Sequence, residues 1–168
     1  RRSSDLMSSG VTLTGGNAGN GGAVYNQGTF RMFGGTITEN AADGVGGGVE
    51  TSGGAFRMTG GTFSENVSYQ GGAVDLYNHS SITLYGGAIV DNRAVEGGGV
   101  FCYNGTVTLS GVTISGNSAA DRGGGAAAFD PVSLTIGGGS FIDNTADEGG
   151  GLYAESADTL DTDDPFHN

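Results

Sequence analysis

Apolar and polar positions follow one another along this chain in three short phrases that recur in the same order. The first phrase is Gly-Gly, a small residue and an apolar residue, and its six copies end at Val24, Val49, Val74, Val100, Ala126 and Leu152. Successive copies are 25 or 26 residues apart. A fixed period of this length is typical of a solenoid, in which each repeat stacks on the one before it.

The other two phrases carry the period of a β-strand. One alternates apolar and polar residues, as in 30–32 and 82–84, and the other places an aromatic or aliphatic residue three positions before an asparagine, as in 63–66. Alternation with period 2 indicates strands, and no stretch shows the period of 3.6 over a helical length. The sequence therefore predicts an all-β fold with three short strands in each repeat.

A 26-residue period with three strands predicts a right-handed, single-stranded parallel β-helix (solenoid) of about six coils. The handedness follows from the preference of parallel crossover connections. We expect the β-helix to span residues 11–155, between an N-terminal flank (1–10) and an acidic C-terminal tail or linker (156–168). Only eight residues separate Gly16 from Val24, against fourteen between Gly35 and Val49, so the first coil is predicted to lack its third strand.

The repeat phrases resemble those of a known family. Gly-Gly-Ala-Val at 21–24 and 71–74, with Phe-x-x-Asn at 63–66 and 141–144, is similar to the repeats of chlamydial polymorphic outer-membrane proteins, whose hallmarks are Gly-Gly-Ala-aliphatic and Phe-x-x-Asn. The resemblance covers residues 11 to about 154. It implies a surface-exposed, right-handed β-helical passenger with adhesive roles, located outside the cell or on its surface.

Composition narrows the classes of function. Glycine accounts for 36 of 168 residues without recurring every third position, and there are two prolines, which excludes collagen. A single cysteine excludes an internal disulfide framework. The net charge of −12 disfavours nucleic acid and anionic bilayers as partners, and no apolar run is long enough for this segment to insert in a membrane.

Asparagine recurs at one position of the repeat, where stacked amides can hydrogen-bond from coil to coil. We predict a structural ladder of Asn40, Asn66, Asn92, Asn117 and Asn144. Asn66 lies in a glycosylation sequon but would be inaccessible in such a ladder. The sequons at Asn78 and Asn104 lie in predicted turns and would be modified if the source is eukaryotic.

The residue before each ladder asparagine is mostly acidic. This row contains Glu39, Glu65 and Asp91, then Gly116 and Asp143. No cofactor is expected. Bound calcium, held by the first three, is the weaker alternative, because Gly116 interrupts the row and no calcium-loop pattern is present. A solvated acidic edge is the favoured interpretation.

Aromatic residues mark the candidate binding surface. If the valines of the first phrase point inward, strand alternation turns their neighbours toward solvent, and these include Tyr25, Tyr77, Phe101, Tyr103, Phe129 and Tyr153. Large exposed apolar patches indicate contact sites. The sequence thus favours a non-catalytic extracellular module that binds a protein or glycan through aromatic and acidic columns, or assembles with itself end to end through open coil ends into a fibre.

Two alternative functions of other classes, an enzyme and an ice-binding protein, remain open. Glu50 and Asp75 occupy equivalent outward positions on neighbouring coils, at a spacing compatible with the paired carboxylates of a polysaccharide lyase or hydrolase. The outward residues of the third phrase form a partial Thr-x-Thr array, including Thr36 with Thr38 and Thr62 with Ser64, which resembles an ice-binding face. Ala88 and Val90 break that array.

Overall fold

The computed structural model describes residues 4–156, and every regular element in this range is a β-strand. The strands form three six-stranded parallel sheets that wind into a β-solenoid of six turns. The all-β solenoid with coils of about 26 residues, predicted from the repeat, is confirmed.

Each sheet forms one face of the solenoid and takes one strand from every coil. Face 1 contains β4 (Val24–Asn26), β8 (Val49–Ser52), β11 (Val74–Tyr77), β15 (Val100–Tyr103), β19 (Ala126–Phe129) and β22 (Leu152–Glu155). Face 2 contains β1 (Ser4–Met7), β5 (Thr29–Met32), β9 (Ala55–Met58), β12 (Ser81–Leu84), β16 (Thr106–Leu109) and β20 (Ser133–Ile136). Face 3 contains β2 (Thr12–Thr14), β6 (Thr36–Thr38), β10 (Thr62–Ser64), β13 (Ala88–Val90), β17 (Thr113–Ser115) and β21 (Ser140–Ile142).

Short corner strands lie between face 3 and face 1. They pair as β3 (Asn17–Ala18) with β7 (Ala41–Ala42), and as β14 (Arg93–Glu96) with β18 (Ser118–Arg122). These corners lead into the Gly-Gly phrases that precede the strands of face 1.

The register stacks equivalent residues of successive coils. On face 2, Phe56 pairs with Phe30 on one side and with Ile82 on the other. The rings of Phe30 and Phe56 stack with centroids 5.3 Å apart, and Phe63 of face 3 meets Phe56 edge-on at 5.9 Å. The inward columns of all three faces therefore form one continuous apolar core.

The N-terminal coil differs from the sequence prediction in two ways. Strand β1 lies within the predicted flank (1–10) and pairs with β5, so the solenoid already includes Ser4–Met7. The strand predicted to be missing from the first coil is present as β2, which pairs with β6 on face 3. The backbone N–H of Gly16 donates to Oδ1 of Asn40, so Gly16 occupies the asparagine position of the repeat. Gly16 is therefore the counterpart of Asn40 and not of Gly35, and its short distance from Val24 does not indicate a missing strand.

At the other end, β22 closes face 1, and Ser156 follows it as the last described residue. The predicted acidic tail, with Asp158, Asp161, Asp163 and Asp164, otherwise lies outside the described residues.

Candidate functional site

The asparagine column forms a hydrogen-bonded ladder inside the corner after face 3. The Nδ2 group of Asn66 donates to Oδ1 of Asn92 at 2.8 Å, and Nδ2 of Asn40 donates to Oδ1 of Asn66 at 2.9 Å. The same pattern continues through Asn117 to Asn144 at 3.0 and 2.9 Å. The predicted coil-to-coil ladder is confirmed.

Each ladder amide also satisfies backbone groups. The backbone N–H of Asn66 donates to Oδ1 of Asn92, and Nδ2 of Asn66 donates to the carbonyl of Ile37, one coil below. Because Asn66 is fully buried, its sequon is inaccessible in the folded chain. Asn78 is exposed and Asn104 half-buried, as expected for turn positions, although the sequon hydroxyl of Ser80 is buried.

The acidic row occupies a position of the repeat where the backbone is left-handed. Glu39, Glu65, Asp91 and Asp143 adopt positive φ angles between 51° and 55°, and Gly116 at the same position has φ of 65°. Glycine enters this left-handed region readily, and aspartate does so more often than most residues. The acidic side chains are exposed, and within residues 4–156 no three His, Cys, Asp or Glu side chains are grouped to hold a metal. The solvated edge therefore accounts for the row.

Two tyrosines form the most exposed aromatic contact of face 1. Tyr77 and Tyr103 end β11 and β15, and their rings stack with centroids 5.7 Å apart and an interplanar angle of 19°. They are 46% and 41% exposed. We call them the tyrosine pair. Tyr25, at the lower end of the same face, is also exposed but lies in a different column, as the register partner of Glu50.

Phe101 does not belong to this exposed surface. The prediction that it faces solvent is wrong: Phe101 points away from the core but is only 3% exposed. The backbone of Gly97 lies directly over it, so that a Cβ added there would be 2.8 Å from the Cβ of Phe101. The first glycine of each Gly-Gly phrase has φ between 62° and 67°, which turns the chain back over face 1.

Phe129 and Tyr153 are partly covered by a charged cluster. The guanidinium of Arg122 lies over their rings, 5.7 and 5.3 Å from the centroids. Arg122 also lies 3.4 Å from Glu148 and 3.9 Å from Glu96. Six aromatic residues were predicted to bind a partner. Tyr25 and the tyrosine pair are exposed, Phe129 and Tyr153 are half-buried, and Phe101 is enclosed.

The two carboxyl groups of the enzyme alternative are brought together, but inside the structure. Glu50 and Asp75 are direct register partners and are 4% and 1% exposed. Burial raises the pKa of both groups, and the charge of Glu50 raises the pKa of Asp75 further. Both carboxyls are therefore enclosed and are not presented on the surface. Sequence alternation placed them outward correctly but could not reveal the glycine backbone that covers them.

The threonine array of face 3 is longer than the sequence indicated, because β2 adds Thr12 and Thr14 in register with Thr36 and Thr38. Its hydroxyls bond to one another and to an acid: Thr38 and Ser64 share a hydrogen bond of 2.9 Å, and Thr14 donates to Glu39 at 3.4 Å. Ala88 and Val90 interrupt the array as predicted.

Fold and surface together define the chain as a three-faced parallel β-solenoid with a structural asparagine ladder. Comparison with protein-family models, with curated proteins and with solved structures gave no match. The resemblance to polymorphic outer-membrane protein repeats therefore stays a prediction. No helix able to cross a membrane occurs in the part of the chain that the structure describes.

Proposed function

We propose that the chain is a non-catalytic module of the cell surface or extracellular space, which binds a protein or glycan partner through the tyrosine pair of face 1. The observation that carries the proposal is the exposed stack of Tyr77 and Tyr103 on a rigid sheet. Tyrosine offers a large apolar ring and a polar hydroxyl, and it is enriched at binding hot spots.

The solenoid supports this function by fixing the two rings before binding. Each tyrosine is anchored by a strand whose neighbours are hydrogen-bonded above and below, and the inward residues of those strands, Leu76 and Cys102, are fully buried. A partner would therefore meet a surface that loses little conformational freedom on association. The extracellular location rests on the resemblance of the repeats and stays a prediction.

The test is a binding assay with single substitutions. The full chain is immobilised and probed with a panel of extracellular-matrix proteins, a glycan array and intact cells. For any ligand that binds the parent, we expect Tyr77→Ser and Tyr103→Ser each to weaken binding about tenfold or more, as truncation of a hot-spot residue does.

Tyr69→Ser is the matched control, because Tyr69 is at least as exposed, at 55%, but lies in the corner before face 1. Circular dichroism would establish that all three variants keep the parental strand content. Binding that is unchanged in both tyrosine-pair variants, or reduced equally by Tyr69→Ser, would rule out the tyrosine pair as the site.

A further inference from the structure

Two carboxyl groups lie side by side on the outward side of face 1, where alternation would expose them to water. Glu50 on β8 and Asp75 on β11 are register partners. Adjacent strands in a sheet lie about 4.8 Å apart, so the two side chains leave the sheet in parallel at about that spacing. Both are more than nine-tenths buried. Two full negative charges in such a site would be strongly unfavourable.

The enclosure is built from neighbours on every side. Tyr25 on β4 is the register partner of Glu50, and Phe101 on β15 is that of Asp75. The backbones of Gly46 and Gly71 cover the outer side, since a Cβ added at either glycine would lie within 3 Å of the backbone nitrogen of Glu50 or Asp75. The pair therefore lies between an aromatic residue on each neighbouring strand, beside tightly packed backbone, and is nearly inaccessible to water.

No basic side chain of the described residues pairs with either carboxyl. Oε2 of Glu50 and Oδ1 of Asp75 are buried and accept no hydrogen bond from any described residue. The other titratable groups on the flanking strands are Tyr25, Tyr103 and, on the interior side, Cys102. In the corner before face 1, Glu96 accepts a hydrogen bond from Gln70 and lies near Arg122. The ion pairs found within residues 4–156 all involve Arg122, and none includes Glu50 or Asp75.

We propose that Glu50 and Asp75 share one proton at neutral pH, so that the protonated carboxyl donates a hydrogen bond to the other carboxylate, and that loss of this proton loosens the two coils they join. A proton suits this site better than a metal ion. Calcium takes six to eight oxygen ligands and magnesium a nearly octahedral set. Here two carboxyls lie between Tyr25 and Phe101, and no third acidic, histidine or cysteine side chain of the described residues joins them.

The pH dependence follows from linkage. In the unfolded chain the two groups titrate near 4.5 and 3.8, whereas burial raises the pKa of both in the folded chain. The stabilisation by the shared proton is therefore complete below the unfolded values and is lost as the pH rises through the folded pKa. Within that window the folding equilibrium constant falls about tenfold per pH unit for each extra proton held by the folded state.

The experiment is urea unfolding of the full chain between pH 5 and pH 8. The folding equilibrium constant of the parent should decrease with rising pH. In Asp75→Asn this decrease should be smaller by about a factor of ten per pH unit, because the asparagine amide donates a hydrogen bond to Glu50 but does not titrate. Glu65→Gln, an exposed acid of the same charge, is the control for general charge repulsion and should retain the parental slope. Parallel slopes for the parent and Asp75→Asn would overturn the proposal.

Two further measurements keep the proposal falsifiable if Asp75→Asn does not fold. Glu50→Gln should show the same loss of slope, and carbon-13 NMR of the parent should find a Glu50 or Asp75 carboxyl that is still protonated above pH 6. Titration of both groups in the ordinary acidic range would refute a shared proton. A rise in the parental melting temperature with millimolar CaCl2 or MgCl2 that Glu50→Gln abolishes would assign the site to a cation instead.

Discussion

Replacement of Asn66 by alanine tests whether the ladder is essential to the stacking of the coils. Asn66 lies in the middle of the ladder and is fully buried. Its Nδ2 donates to Oδ1 of Asn92 at 2.8 Å and to the carbonyl of Ile37 at 2.9 Å. Its Oδ1 accepts from the backbone N–H of Asn40 at 3.1 Å and from Nδ2 of Asn40 at 2.9 Å. Asn66→Ala removes all four hydrogen bonds.

The expected loss of stability follows from these bonds. A buried hydrogen bond contributes about 1 kcal/mol net, so four amount to about 4 kcal/mol. Most of the partners retain another bond: Nδ2 of Asn40 still donates to the carbonyls of Leu13 and Thr38. The backbone N–H of Asn40 retains no other hydrogen bond among the described residues. An unsatisfied buried donor costs about 1–3 kcal/mol, and the estimate of about 4 kcal/mol already includes this cost. A loss of about 4 kcal/mol is a large part of the 5–15 kcal/mol that typically stabilises a domain.

The assay is urea unfolding followed by circular dichroism, with hydrogen exchange at the Asn40 amide as the local measurement. Asn144→Ala is the matched control, because Asn144 ends the ladder and is only half-buried. Its side chain makes three hydrogen bonds instead of four: Nδ2 donates to the carbonyl of Ile114, and Oδ1 accepts from the backbone N–H and Nδ2 of Asn117. We expect a loss of about 1–2 kcal/mol there, since water can replace part of what is removed. If Asn66→Ala costs less than about 1 kcal/mol, or no more than Asn144→Ala, the ladder is not a principal source of stability.

Two further predictions concern the covering glycines and the buried thiol. Gly97→Ala should destabilise the fold by well over the roughly 1 kcal/mol expected of Gly53→Ala. Both positions have positive φ, but a Cβ at Gly97 would lie 2.5 Å from the carbonyl oxygen of Val100, whereas one at Gly53 meets nothing within 4 Å. Equal unfolding midpoints would contradict the close approach. Burial also raises the pKa of Cys102 to about 11. At pH 8 a disulfide reagent should therefore label this fully buried thiol only as fast as the chain unfolds. Rapid labelling of the native protein would contradict the enclosure of Cys102.

The fold could be predicted because one physical requirement is repeated in every coil. A coil must return to the same position with the same residue inward, so the period and the alternation determine the register, and Phe56 lies between Phe30 and Ile82 as the phrases require. The ladder was predictable for the same reason, because amides that recur at one position of the repeat lie within hydrogen-bond distance of their own copies above and below.

The candidate site was less predictable, because exposure depends on the path of the backbone outside the strands. Alternation gives the side of the sheet from which Phe101 and Tyr77 project, and both point outward. It does not show that the turn at Gly97 passes over Phe101 and leaves Tyr77 open. The four-residue separation between Gly97 and Phe101 is not a sufficient signal, because Gly21 makes the same close approach four residues before Tyr25, which is exposed.

One column on the outer side of face 1 contains four buried residues, Glu50, Asp75, Phe101 and Ala127. These residues behave as a second, smaller core, and their composition bears on the role of the acidic pair. The same column contains Phe101 and Ala127, both nearly fully buried, in the two coils that follow Asp75. The fold therefore accommodates apolar residues there, and well-packed apolar groups in place of buried ionisable ones are often neutral or stabilising. Because the solenoid does not need acids at this position, Glu50 and Asp75 are better explained by a response to protons than by a contribution to stability at neutral pH.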